Sequence, residues 1–300
     1  MGVLLKRLVK EQPLGTFGGC VVLALIVVSV FAGALAPYEP DELHLVDRFQ
    51  GPSARYLLGT DQLGRDLLSR LIHGARISVF VGLAGTTVHV VVAALIGGTA
   101  GFFGGKLDLA VQRIIDAWMS FPGLLLLLTI MSIAGQGLAQ IIIVLGVSAG
   151  ITNSRVVRSA VIGIKGNDYF AAAQATGSQT LRTLMRHVLP NVAAPMIIIY
   201  SITIGGIIVS EASLSFLGFG LPHDVPSWGG MLSREGRQHM EIAPRLALWP
   251  GLCLTIVVYC VNMFGDALRD LLDPRLRGGD GGLGSHGASS VRRTIKAAGS

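Results

Sequence analysis

Charge is what this sequence has least of. Of its 300 residues only 14% are Asp, Glu, Lys or Arg, whereas 51% are hydrophobic, and mean hydropathy is +0.62. A soluble domain carries roughly a quarter charged residues, so a water-facing globule is excluded. Cysteine is almost missing as well. Cys20, Cys253 and Cys260 all fall inside apolar runs, without the spacing of a metal site or a disulfide framework. Nucleotide-loop chemistry is missing too. Lys106 follows two glycines, but no Ser or Thr comes after it and the upstream glycine is out of place. No His-x-x-His or Cys-x-x-Cys occurs, and the seven histidines are scattered. Nothing here argues for catalysis or a metal in this chain.

What is present is a series of charge-free stretches, at 12–38, 77–105, 117–154, 188–210 and 246–265. A helix needs about 20 mostly apolar residues to cross a bilayer. The third stretch is 38 residues long and broken at Gly135-Gln136-Gly137, which divides it into two. The expected architecture is therefore all-α, with six membrane spans near 14–36, 77–102, 109–134, 138–156, 194–217 and 248–268. Pro122 should kink the third span or start a new helix there. The first run, about 20 residues after Lys6, Arg7 and Lys10, is longer than the core of a signal peptide, so it reads as a span although 32–36 resembles a cleavage site.

The net charge of +6 could point to nucleic acid, but topology accounts for it. With the N-terminus in the cytoplasm, the cytoplasmic segments hold 16 of the 24 Lys and Arg. That is the positive-inside bias, and both termini are expected inside. Residues 278–300 are rich in glycine and serine with little to bury, and read as a flexible tail.

One polar insert interrupts the apolar pattern: "FAAAQATGSQTLRTLMRHVLPN", residues 170–191. Residues 168–176 suit a short helix. Gly177 suits the left-handed residue that ends it, Ser178 can cap a second helix, and Pro190 is tolerated in the first turn of the next span. A helix–glycine–helix unit joined to two spans can act as a lever. It can equally be an interfacial linker resting on headgroups through Arg182 and Arg186.

Four stretches carry a resemblance. "LLGTDQLGRDLLSRLIHGARISVFVGL" (57–83), "SEASLSFLGFG" (210–220), "PSWGGML" (226–232) and "GDALRDLLDPRLR" (265–277) flank or follow the spans in order. With the insert, they resemble the permeases of ABC importers, in the dipeptide, oligopeptide and nickel subfamily, and most closely its second permease. The resemblance covers about 12–277. The family's coupling pattern is Glu-Ala-Ala, three residues, Gly, nine residues, Ile-x-Leu-Pro. Here Ala171-Ala172-Ala173, Gly177 and His187-Val188-Leu189-Pro190 keep the spacing, with Ala171 in place of the glutamate and His187 in place of the isoleucine.

The resemblance implies a type I ABC importer transmembrane fold with cytoplasmic coupling helices. It divides the chain into a lead with first helix and outside segment (1–75), the permease domain (76–274) and the tail (278–300). It implies a bacterial inner-membrane protein that imports dipeptides or oligopeptides. Nickel, glutathione and oligosaccharide remain open as cargo, and outside the class so do a secondary transporter and a non-transporting scaffold. The implied partners are a homologous second permease, two cytoplasmic ATPase subunits, an extracytoplasmic solute-binding protein and the lipid bilayer, with no nucleic acid. No cofactor is expected in this chain; ATP and Mg belong to the ATPase subunits. The residues implied in ATPase coupling are Ala171, Ala172, Ala173, Gly177, Arg182, His187, Leu189 and Pro190.

Several polar residues have two readings. Glu211, late in the fifth span, is a place in the transport path or outer gate, or an interfacial cap beside Ser210 and Ser213. Arg113 and Asp116 are expected to form a structural ion pair on one helix face at the cytoplasmic interface, the alternative being a gating role. Asp61, Arg65, Asp66 and Arg70 are expected to pair on a surface helix, the alternative being contact with a docking protein. Trp228 and Trp249 are expected in the outer aromatic belt. Gly82, Gly85 and Ala93-Ala94 offer small faces for close helix contact.

Overall fold

The runs of apolar residues form long helices, seen here in a computed structural model. The structure describes residues 8–166, 189–222 and 224–272. Helix α1 (Pro13–Val30), with proline in its first turn, is followed by one extra turn, α2 (Ala32–Leu35). Helix α3 (Leu67–Phe103) has 37 residues, about 55 Å at the usual rise. This exceeds a hydrocarbon layer of about 30 Å, so α3 joins the second span to the helical piece expected ahead of it. Gly104 and Gly105, at φ 67° and 58°, end it and start α4 (Gly105–Met119). Pro122 then opens α5 (Gly123–Ala134), bent 91° from α4.

Helix α6 (Leu138–Lys165), α7 (Leu189–Phe216) and α9 (Arg245–Leu272) complete the spans, and α8 (Trp228–Met231) is a single turn between α7 and α9. Among the described residues five helices are long and apolar enough to cross a membrane, or six with the bent α4–α5 pair taken as one. The sixfold pattern read from the sequence therefore stands on that kinked pair. The helices overrun the expected ends. α6 continues past residue 156 because Arg155 and Arg158 find acidic partners on α4: Arg155 pairs with Asp116, and Arg158 holds Asp108 through both Nε and Nη2. Arg113 also meets Asp116, at 3.6 Å.

Close helix contact is made by glycine, as small residues permit in a bilayer. A Cβ on Gly97 would lie 2.1 Å from the Ser154 carbonyl of α6, and one on Gly150 would lie 2.6 Å from Val92 of α3. Gly82 and Gly85 instead face Ile208 and Ile207 of α7. Gly15 and Gly18 bring α1 against Ala267 and Cys260 of α9.

The charged residues at the start of α3 are not on the exposed surface that their spacing suggests. Asp61, Arg65, Asp66 and Arg70 are all buried. The Asp61 carboxylate accepts from the backbone of Leu63 and Arg65 and from Arg65 Nε at 2.6 Å. Asp66 caps α3 by accepting from Ser69 N at 2.8 Å and Ser69 Oγ at 2.7 Å. Arg70 reaches back to the Pro40 carbonyl at 3.0 Å. Gly64, at φ 77°, lies where a Cβ would strike the His44 carbonyl. The motif is thus a turn wound around Asp61. Local i,i+4 spacing suggested exposed pairs, but 37–58 folds over them and removes water.

Candidate functional site: Glu211 under its loop, and the ends of the coupling insert

Glu211 sits on the second-last turn of α7, on a fully buried side chain. Ser215, one turn on, donates its hydroxyl to Glu211 Oε1 at 2.7 Å, and the Ser227 hydroxyl also bonds the carboxylate. Oε2 has no hydrogen-bond partner among the described residues. Ser227 additionally caps α8, accepting from Gly230 N at 3.2 Å. The next residues clamp this loop to the bundle. Gly229 lies so close to α7 that a Cβ would come 2.5 Å from Ala212 Cα and O. Gly220 similarly leaves room for Ser215. The stretches 210–220 and 226–232 are therefore two halves of one unit.

Trp228 belongs to that unit and not to an aromatic belt. It is 1% exposed, donates Nε1–H to the Leu71 carbonyl at 3.1 Å and packs on Gly74. A tryptophan whose N–H is satisfied inside gains more from burial than from an interface. Trp249 is partly buried against the same cluster, with Leu67, Leu71, Ile208 and Met231. Ser210 and Ser213 lie off this site. Each donates to its own helix, to Gly206 O and Val209 O, both at 2.8 Å. The cap partners of Glu211 are Ser215 and Ser227. Ser215 was legible as an i,i+4 neighbour; Ser227, across a loop, was not.

The segment behind Asp61 is also tied by charge. Tyr56 is buried, donates to Asp47 at 2.8 Å, and its phenol is pushed up to about 12 by burial first and by that hydrogen bond second. Arg245 of α9 donates to the carbonyls of Phe49 and Gln50 at 2.7 and 2.8 Å. The segment is thereby fastened to the last span.

Of the insert residues, Ala171, Ala172, Ala173, Gly177, Arg182 and His187 lie outside the described residues; Leu189 and Pro190 open α7. The end of α6 that leads into the insert is firmly held. Lys165 Nζ donates to the Phe102 carbonyl at 2.7 Å, about two turns beyond the Arg158–Asp108 pair. One Gly-x-Ser-x-Gly string does occur, at 146–150, but it lies inside α6 with both glycines packed on α3. The strand–turn–helix that would expose such a serine is not there.

Long apolar helices, glycine seams and a polar insert between two spans define a multi-pass membrane protein. Residues 91–278 match the model of binding-protein-dependent transport system inner membrane components, and residues 5–52 match the N-terminal transmembrane domain of oligopeptide transport permease C. The chain belongs to the first of these families and is a permease subunit of an ABC importer. Membership implies ATPase and binding-protein partners.

Among curated relatives, it is 38% identical over 270 residues to the di/tripeptide transport system permease DppC of Pseudomonas aeruginosa, covering 88% of this chain and 89% of that one. It is 36% identical to the dipeptide permease DppC of Alkalihalophilus pseudofirmus, over 89% of this chain and 88% of that one. It is also 36% identical to the glutathione permease GsiD of Pectobacterium atrosepticum, over 89% of both. In fold it is similar to a chain of the inward-facing MetNI methionine ABC transporter, with a TM-score of 0.51, 22% identity, and coverage of 68% of this chain and 96% of that one.

Proposed function

We propose that this chain is the second permease of a peptide importer and forms one half of a heterodimeric pore. One observation carries the cargo class. A single chain joins an N-terminal match to an oligopeptide permease with relatives named for dipeptides, di/tripeptides and glutathione, itself a tripeptide. ATP and Mg bind on two cytoplasmic ATPase subunits. A solute-binding protein delivers cargo on the other side. Both termini and residues 157–191 face the cytoplasm, and 37–75 and 220–245 face out. The division into 1–75, 76–274 and 278–300 follows that layout.

Energy enters through the insert, at Ala171, Ala172, Ala173, Gly177, Arg182, His187, Leu189 and Pro190. The rigid α3–α6 pair supports its entrance, and its exit is the first turn of α7. A push there is delivered along α7 to Glu211, 21 residues beyond Pro190. Glu211 then acts as an outer-gate residue: it holds the 226–232 loop to α7 through Ser215 and Ser227, so loop and helix move together. Ser210 and Ser213, on a less buried part of the same turns, are the side chains left to face cargo.

The test is Gly177→Val in the complete importer reconstituted in vesicles with its binding protein. A β-branched side chain at a position where the sequence pattern expects a positive φ should strain the insert by ~1 kcal/mol or more. Uptake of a labelled dipeptide should fall at least tenfold while ATP hydrolysis continues or the ATPases detach. Normal uptake with normal co-purification of the ATPases would remove the coupling role. Competition of wild-type uptake by excess nickel, and not by di- and tripeptides, would remove the peptide cargo.

A further inference from the structure

A cleft of about 650 Å³ lies along the first spanning turns of α3, walled by Ile26 and Val30 of α1. Along α3 it is lined by His73 and Arg76 at one end and by Phe80 and Leu83 further along the helix. Arg76 is exposed, and no hydrogen bond or ion pair joins it to any described residue. His73 is held differently: its Nδ1–H donates to the Ser69 carbonyl at 2.9 Å, which fixes the ring at that end. The neighbouring acid, Asp41, is already engaged by Arg70 at 3.5 Å.

Arg76 is also the last charge before the 29 charge-free residues 77–105. A helix enters hydrocarbon at such a boundary, so this guanidinium stands at headgroup depth. From Arg76 to Leu83 is seven residues, about 10 Å of helix. The cleft thus runs from headgroup depth down into the acyl layer, with a cation above and apolar walls below. Phe80 and Val30 are 53% and 66% exposed, which leaves that lower part uncovered.

We infer that this cleft binds an anionic phospholipid of the leaflet at the Leu67 end of α3, its phosphate on Arg76 and one acyl chain along Phe80 and Val30. Charge complementarity selects this occupant. A protein partner would have to bring a carboxylate to the edge of the hydrocarbon, which is costly, whereas a lipid phosphate is at that depth already. Arg offers a planar fork of donors that suits a phosphate. A net anionic headgroup is preferred because no acidic side chain among the described residues pairs with Arg76.

The experiment is native mass spectrometry of the whole assembled importer, titrated with phosphatidylglycerol or with phosphatidylethanolamine of the same chains. Wild type should retain phosphatidylglycerol at roughly tenfold lower concentration, the scale of one charge-assisted contact. Arg76→Gln should abolish the preference, and Arg76→Lys should keep most of it. Ile26→Trp, which fills the cleft, should weaken retention of both lipids. Glycerol phosphate at the same concentration should not displace the lipid, because it has no chain to bury. Equal retention of the two lipids by wild type, or an undiminished preference in intact Arg76→Gln complexes, overturns the site. So does displacement by glycerol phosphate, or a photo-crosslinker at Phe80 that captures the sister permease in place of lipid.

Discussion

At Glu211 a carboxylate is enclosed by protein on every side, with Ser215 donating to Oε1, Ser227 bonding the carboxylate, and no hydrogen-bond partner for Oε2 among the described residues. A buried acceptor left unpaired costs about 1–3 kcal/mol, so this residue is retained at the expense of stability and its position calls for a use. Both serines come from the unit that joins α7 to the 226–232 loop, which suits a latch better than a lining group. Glu211→Gln keeps the shape and replaces one acceptor with a donor. The expected outcome is reduced peptide uptake, by severalfold or more, in a complex that still assembles and hydrolyses ATP. Uptake unchanged for peptides of every net charge would reduce Glu211 to a cap. The same scale explains Trp228, where one indole N–H bond to Leu71 turns an expected interfacial residue into the centre of the core.

Between elements, stability rests on backbone proximity at glycine. α3 and α6 touch at Gly97, Gly101, Gly146 and Gly150, and the strap of Arg158 on Asp108 closes the same end. The obstacle at Gly97 is the Ser154 carbonyl, which belongs to a helix backbone and cannot swing aside. Gly97→Ala should therefore separate the helices, at the ~1–3 kcal/mol typical of overpacking, and lower the thermal unfolding midpoint of the purified complex. Gly98→Ala is the control, since a Cβ there meets nothing within 4 Å and alanine favours a helix by about 1 kcal/mol. Equal midpoints for the two variants would show that the seam has slack.

For the whole molecule, the layout depends on an odd count. The α4–α5 pair must act as one broken span for both termini to share a side, since α1, α3, α6, α7 and α9 alone make five. The 16-to-8 division of Lys and Arg supports the even arrangement. In a chain whose three cysteines are replaced by alanine, a membrane-impermeant thiol reagent applied from outside should label Ser53→Cys and spare Ser178→Cys. Labelling of the second and not the first would invert the topology. The Tyr56–Asp47 and Arg245 contacts make 37–66 a firm platform against α9, so Ser53, at its exposed edge, reports the side and not a stray loop.

Sequence alone determined where hydrocarbon meets the chain, because a charge inside a bilayer is so costly that its absence over 20 residues is itself a signal. The break at Pro122 and the small faces at Gly82 and Gly85 were legible for similar local reasons. The coupling spacing from Ala171 to Pro190 is legible only in sequence, since most of it lies outside the described residues. Tertiary structure decided what each polar residue is for. Spacing of Asp61, Arg65, Asp66 and Arg70 allowed exposed pairs; a covering loop made them a buried turn. Ser210 and Ser213 are nearer Glu211 in sequence than Ser227, yet helical geometry turns them to other faces and folds Ser227 onto the carboxylate. Periodicity and charge tell which segments share a solvent. They do not tell which side chains meet across a loop, because that depends on the path of the backbone between them.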